Sequence, residues 1–218
     1  MKKYKYLLWD LDGTIINSFE GITRSFAYAL ESYGIKVNDY NELRPVLGPP
    51  LRDAFLDMFG FVDENAIEAV AKYRERYTVK FLEESDVYPG IDVTLKKLSE
   101  EGFHNVLATA KPEKFAGALL EHFDLSRYFL FITGATMDKS RDSREKGLQH
   151  IISELGIADA GQAVMIGDRK YDLCGADAFG IDGIGVLYGF GSEEELKSCP
   201  HVFLAKSADE VYNYISKF

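Results

Sequence analysis

Two aspartates two residues apart, Asp10 and Asp12, close the apolar run Tyr6-Leu7-Leu8-Trp9 and lead into Gly13-Thr14. In an extended chain residues i and i+2 point the same way, roughly 6 to 7 Å apart, so both carboxylates face one pocket. Neighbouring carboxylates repel each other and raise one pKa unless a cation intervenes. Magnesium suits the role, because it is hard, prefers oxygen and is held by a few carboxylates with water and phosphate oxygens. The competing reading is an Asp-Gly turn in which Asp12 binds only its own backbone.

A second polar cluster follows another apolar run, in Leu107-Ala108-Thr109-Ala110-Lys111-Pro112. A strand running into a helix start here brings a hydroxyl, free helix amides near Ala110 and the Lys111 ammonium to one spot, which suits an anionic oxygen. Alternatively Thr109 only caps the helix and Lys111 is a solvated charge. The third cluster is Gly167-Asp168-Arg169-Lys170-Tyr171-Asp172, after Ala163-Val164-Met165-Ile166. Four residues make about one helical turn, so Asp168 at a strand tip and Asp172 on the next helix can face the first pair.

Placing three strand tips together requires a particular scaffold. Strand-like runs at 4–9, 103–109, 129–133, 163–166, 183–187 and 201–204 alternate with segments whose apolar residues recur near 3.6, such as Ile91, Leu95, Leu98 and Phe115, Leu119, Phe123. That alternation predicts an α/β fold with a doubly wound parallel sheet, in which ligands bind at the carboxyl ends of the strands. Gly102 and Gly156 stop helices, Pro112 starts one, and Ser192/Glu195 and Ser207/Glu210 have capping-box spacing. Residues 17–86 contain helical stripes and no convincing strand, so the spacing predicts a helical insert within a core made of 1–16 and 87–218. Tyr88-Pro89-Gly90 marks the return.

Thirty-five acids against 25 Lys and Arg give a formal charge of -10 and a pI near 4.9. That balance argues against a nucleic-acid partner. The short apolar run at the start and the lack of any long one point to a cytoplasmic protein with no membrane partner. Cys174 and Cys199 fit no metal spacing and are expected as reduced thiols. Gly183-Ile184-Gly185 lacks the spacing of a dinucleotide fingerprint.

The DLDGT, ATAKP and GDRKYD segments, in this order and with the insert behind the first, resemble the haloacid dehalogenase superfamily in its phosphoglycolate phosphatase-like and 5'-nucleotidase-like branch. Leu47-Gly48-Pro49-Pro50-Leu51 is similar to that subgroup. The resemblance implies that Asp10 attacks phosphorus and that Asp12 is acid and base. It implies Mg²⁺ on Asp10, the Asp12 carbonyl and Asp168, with Asp172 behind, and a phosphoryl group on Thr109, Ala110 and Lys111. The superfamily's basic residue, usually Lys, falls by spacing on Arg144, with Lys146 as fallback. The insert would be a cap, with Arg44 or Arg52 as substrate contacts. The expected partner is a small phosphorylated metabolite, and the chain a monomer or homodimer. A sugar-phosphate mutase and a phosphate-accepting receiver-like module are the alternatives.

Overall fold

The computed structural model describes residues 3–136, 141 and 143–218. Strand β1 (Tyr6–Trp9) is wholly buried, and a two-residue strand β2 (Ile16–Asn17) follows it. The chain then forms helices α1 (Phe19–Glu31), α2 (Leu51–Phe59) and α3 (Asp63–Lys80), and returns through β3 (Asp86–Val87), which pairs with β2. It continues as α4 (Ile91–Glu100), β4 (His104–Pro112), α5 (Glu113–His122), β5 (Phe129–Ala135) and α6 (Arg144–Leu155). The remainder is β6 (Ala163–Gly167), α7 (Lys170–Asp177), β7 (Asp182–Val186), α8 (Glu193–Lys197), β8 (Phe203–Ala205) and α9 (Ala208–Ile215).

Two compact units result, one of residues 1–16 and 87–218 and one of residues 17–86. In the first, six strands form one sheet in the order β5-β4-β1-β6-β7-β8, and each assigned pairing is parallel. Both faces are covered by helices, which is why β1 and β6 read as unbroken apolar runs rather than alternating ones. Leu8 pairs with Val106 on one side and Met165 on the other, and all three are buried. Helix ends obey local chemistry. Ser143 accepts the Lys146 amide at 3.3 Å, Ser192 and Ser207 cap their helices, and Gly156 closes α6 at φ 59°.

A buried polar junction ties β1 to its neighbours. Trp9 Nε1 donates to Asn105 Oδ1 at 2.9 Å, and Asn105 Nδ2 donates to the Leu95 carbonyl, Ser99 Oγ and the Tyr128 carbonyl. Burial of an amide is tolerable because its donors and acceptor are used.

The second unit packs its three helices and a 3₁₀ turn (Tyr40–Val46) around aromatic rings. Phe26 lies 4.8 Å from Phe55 and 5.1 Å from Tyr73, and Tyr77 bridges Tyr73 and Phe81 at 5.2 and 5.6 Å. Arg76 holds Glu84 through its two terminal guanidinium nitrogens, at 2.7 and 2.6 Å. No helix among the described residues is long and apolar enough to cross a membrane.

Two expectations are corrected. Cys174 and Cys199 are joined as a disulfide, their Cα atoms 5.2 Å apart, because α7 packs beside the segment that follows α8. Composition alone could not report that approach. Strand β4 runs on to Pro112, so α5 begins at Glu113 and the Thr109-Ala110-Lys111 segment is strand, not helix terminus. The amides expected there as free helix donors therefore belong to extended chain.

Candidate active site

Strand order creates the site. Strands β4, β1 and β6 are adjacent, and their carboxyl ends carry Thr109 and Lys111, Asp10 and Asp12, and Asp168 respectively. The Asp10 amide continues the sheet by donating to the Ile166 carbonyl at 2.9 Å, which fixes Asp10 beside the tip of β6. The turn after it is closed by bonds from the Thr14, Ile15 and Ile16 amides to the Leu11 carbonyl.

Carboxylate oxygens of Asp10, Asp168 and Asp172 lie within 4.8 Å of one another, all buried. The cation among them is Arg144, at the start of α6. Its Nη2 is 3.0 Å from Asp10 Oδ1 and also pairs with Asp172, while Nη1 donates to the Ala108 carbonyl. Its planar fork serves three partners at once. Lys146 sits exposed on the same turn of α6, so the geometry places Arg144 in the cluster.

Asp168 is completely buried. Its Oδ2 accepts from the Phe190 amide at 2.7 Å, whereas Oδ1 has no hydrogen-bond partner among the described residues. Burial, then the charges of Asp172 and Asp10, push its pKa well above the carboxylate range, against the pull of the Phe190 amide. Burial likewise lifts Asp172 to about 7, opposed by Arg144. Arg144 is held charged by the same two carboxylates despite its own burial. A buried acceptor without a donor, in a trio of hard oxygens with one counter-charge, is a donor set that fits a divalent oxygen-seeking ion.

Asp12 turns elsewhere. Both of its oxygens accept from the Lys111 ammonium, at 2.9 and 2.8 Å, and its carboxylate is not part of the Asp10–Asp168–Asp172 group. The Thr109 hydroxyl accepts the Lys111 amide at 3.2 Å, and Ala110 is exposed. Arg44 lies 5.4 Å from the Phe19 ring and Arg52 Nε is 2.8 Å from Asp63, so each already has a partner within the helical unit.

The loop after β7 was not foreseen. Besides the Phe190 amide, it supplies Tyr188, whose hydroxyl donates to the Thr14 carbonyl at 3.0 Å. A Cβ on Gly189 would come within 2.3 Å of Asp168 Cβ and 2.4 Å of the Gly13 carbonyl, so only glycine lets the loop approach. Gly13, at φ 91°, needs its freedom twice over, since a Cβ there would lie 2.2 Å from Asp168 Oδ2. The signal was available as Tyr188-Gly189-Phe190-Gly191, leaving the same sheet edge as the other tips.

The family model for haloacid dehalogenase-like hydrolases matches residues 7–186, which takes in all three strand tips. The chain belongs to the haloacid dehalogenase-like hydrolases. Within them it is 42% identical to a 5'-nucleotidase of Pseudomonas aeruginosa, over 90% of this chain and 88% of that one. It is 30% identical to a phosphoglycolate phosphatase of Pseudomonas fluorescens, over 85% of this chain and 70% of the other. A crystal structure described as a predicted phosphatase from Clostridium acetobutylicum superposes with a TM-score of 0.93 at 40% identity, covering 99% of both chains.

Proposed function

We propose that this hydrolase is a Mg²⁺-dependent phosphatase of small phosphate monoesters, with Asp10 as nucleophile. The observation that carries the reading is the state of Asp10. It is buried at the tip of the central strand, and one oxygen is fixed by Arg144 beside the Asp168–Asp172 pair. The second oxygen is left to attack. Asp10, Asp168, Asp172 and the Asp12 carbonyl are the groups that would hold the ion. When bound, it would neutralise the carboxylates and the transferring phosphoryl group.

The chain's own residues then divide the work. Asp10 forms a bond to phosphorus as the ester P–O bond breaks, and the departing oxygen takes a proton from Asp12. Water next attacks the aspartyl phosphate, gives a proton back to Asp12, and leaves inorganic phosphate with Asp10 restored. Thr109, Lys111 and the backbone amides at Leu11 and Ala110 are the phosphoryl contacts, and Arg144 steadies Asp10. The helical unit of residues 17–86 serves as the cap that selects the ester and excludes water.

Its 5'-nucleotidase relative supports nucleoside monophosphates as the first substrates to screen, with phosphoglycolate next. The test is release of inorganic phosphate from p-nitrophenyl phosphate with Mg²⁺, followed by a ranking of esters by kcat/KM. Asp10→Asn is expected to abolish release. Folded wild-type protein without turnover would refute the proposal and favour a phosphate-accepting binding module, and dependence on a bisphosphate activator would favour a mutase.

A further inference from the structure

The Ser192/Glu195 and Ser207/Glu210 pairs share one capping-box spacing, but their glutamates do different things. Glu210 stays local, its Oε2 accepting the Lys206 amide at 2.7 Å beside its own cap Ser207. Glu195 leaves its amide on Ser192 Oγ at 3.1 Å and sends its carboxylate to another helix. There Oε1 accepts from Arg169 Nε at 2.8 Å and from the Lys170 amide at 3.0 Å, 25 residues back in the chain. The Arg169 and Glu195 side chains are 15% and 20% exposed, so solvent screens the pair only in part.

We propose that Glu195 is a positioning residue for the divalent ion, holding the turn from Asp168 to Asp172 in the conformation that binds it. This rests on the Mg²⁺-dependent reading of the site.

Local chemistry leaves that turn in need of an outside acceptor. Arg169 stands at the N-cap of α7, where Ser, Thr, Asp or Asn would take up a helix amide. A guanidinium has no acceptor to offer. Asp172 Oδ2 takes the Arg169 amide at 3.1 Å, and Glu195 takes the Lys170 amide. The first of these bonds fixes the Asp172 carboxylate, whose other oxygen pairs with Arg144. The second pins the residue on which α7 begins. Asp168 is fixed from the other flank by the segment between β7 and α8. Its Phe190 amide holds Asp168 Oδ2, and a Cβ on Gly191 would collide with the Asp168 carbonyl. Glu195 fastens the far end of that segment to the turn it covers, so one carboxylate sets the register of both flanks. Groups that orient ligating carboxylates from behind typically decide about 10- to 100-fold in metal affinity. The Cys174–Cys199 bond keeps α8 on α7 independently, so removing Glu195 loosens the turn and leaves the helices together.

The experiment titrates metal-free protein with Mg²⁺ by calorimetry for wild type, Glu195→Ala, Glu195→Gln and Ser207→Ala, with p-nitrophenyl phosphate turnover at saturating Mg²⁺ alongside. Glu195→Ala is expected to weaken the Mg²⁺ Kd about 10-fold and to leave KM for the ester within about 2-fold. Glu195→Gln keeps an oxygen for both donors and is expected within about 3-fold of wild type in Kd. Ser207→Ala uncaps α9 and is expected to lower Tm with the Mg²⁺ Kd unchanged. A Glu195→Ala Kd within about 2-fold of wild type would overturn the proposal and leave Glu195 an ordinary stabilising contact. So would a Gln variant as weak as Ala, or a Ser207→Ala variant whose Kd weakens as its Tm falls. Wild type that binds no Mg²⁺ would overturn the metal reading beneath, a result distinct from equal binding by wild type and Glu195→Ala. Should circular dichroism show Glu195→Ala misfolded, Glu195→Asp, whose carboxylate is withdrawn by one methylene, carries the same comparison.

Discussion

Removing and restoring a divalent ion should change the stability of this protein in a pH-dependent way. Without an ion, three buried carboxylates share Arg144 as counter-charge, and Asp168 Oδ1 has no donor among the described residues. Asp168 and Asp172 hold their protons in the fold at pH values where the unfolded chain has lost them, the latter to about 7. The native state therefore binds more protons than the unfolded state, and metal-free stability falls as pH rises from about 4 through the raised values. An ion takes the place of those protons, so its effect grows across the same window. At 100 times its Kd, Mg²⁺ adds about 2.7 kcal/mol. At roughly 2 to 4 °C per kcal/mol for a chain of this size, Tm rises by about 5 to 11 °C at pH 8 and by less at pH 5. Asp168→Asn keeps an oxygen for the Phe190 amide and removes one charge. Its metal-free Tm at pH 8 is expected to equal or exceed that of wild type, with no response to Mg²⁺. Thermal melts in EDTA and in Mg²⁺ at both pH values check this. A wild type indifferent to Mg²⁺ at pH 8, or an Asp168→Asn variant that still responds, would refute the reasoning.

Gly13→Ala combines positive φ with a Cβ 2.2 Å from Asp168 Oδ2. It should cost about 1 to 3 kcal/mol in urea unfolding and remove the Mg²⁺ response. Asn105→Leu strands the Trp9 N–H in the core, for a loss of about 1 to 3 kcal/mol measured the same way. The Cys174–Cys199 bond closes a separation of 25 residues beside Asp172. Reduction, or Cys174→Ser with Cys199→Ser, should lower stability by about 3.5 kcal/mol in the chain-entropy account, and an unchanged Tm after full reduction would contradict it.

Much of the chain was legible beforehand because local physics is written locally. The parallel strands announced themselves as apolar runs, Gly102 and Gly156 as helix ends, and Ser192 and Ser207 as caps, each through a preference that needs few distant partners. Asp10, Asp12, Asp168 and Asp172 could be named from spacing because each sits just beyond a strand. The end of β4 was misjudged by three residues, since pairing with β5 at Pro112 extends the strand past Thr109. The Cys174–Cys199 bond and the Asn105 junction were invisible, because each joins segments whose approach depends on helix packing.

Taken alone, the sequence determined that carboxylates, a hydroxyl and a lysine end successive strands, since strand periodicity and turn chemistry act over a few residues. Tertiary structure alone decided their company. The order β4-β1-β6 set Asp10 between Asp168 and Lys111, and α6 put Arg144 on Asp10 and Asp172. The loop after β7 brought the Phe190 amide to one oxygen of Asp168 and left the other without a partner among the described residues. Those choices depend on which elements share buried surface, a property of the whole core that no short window of residues contains.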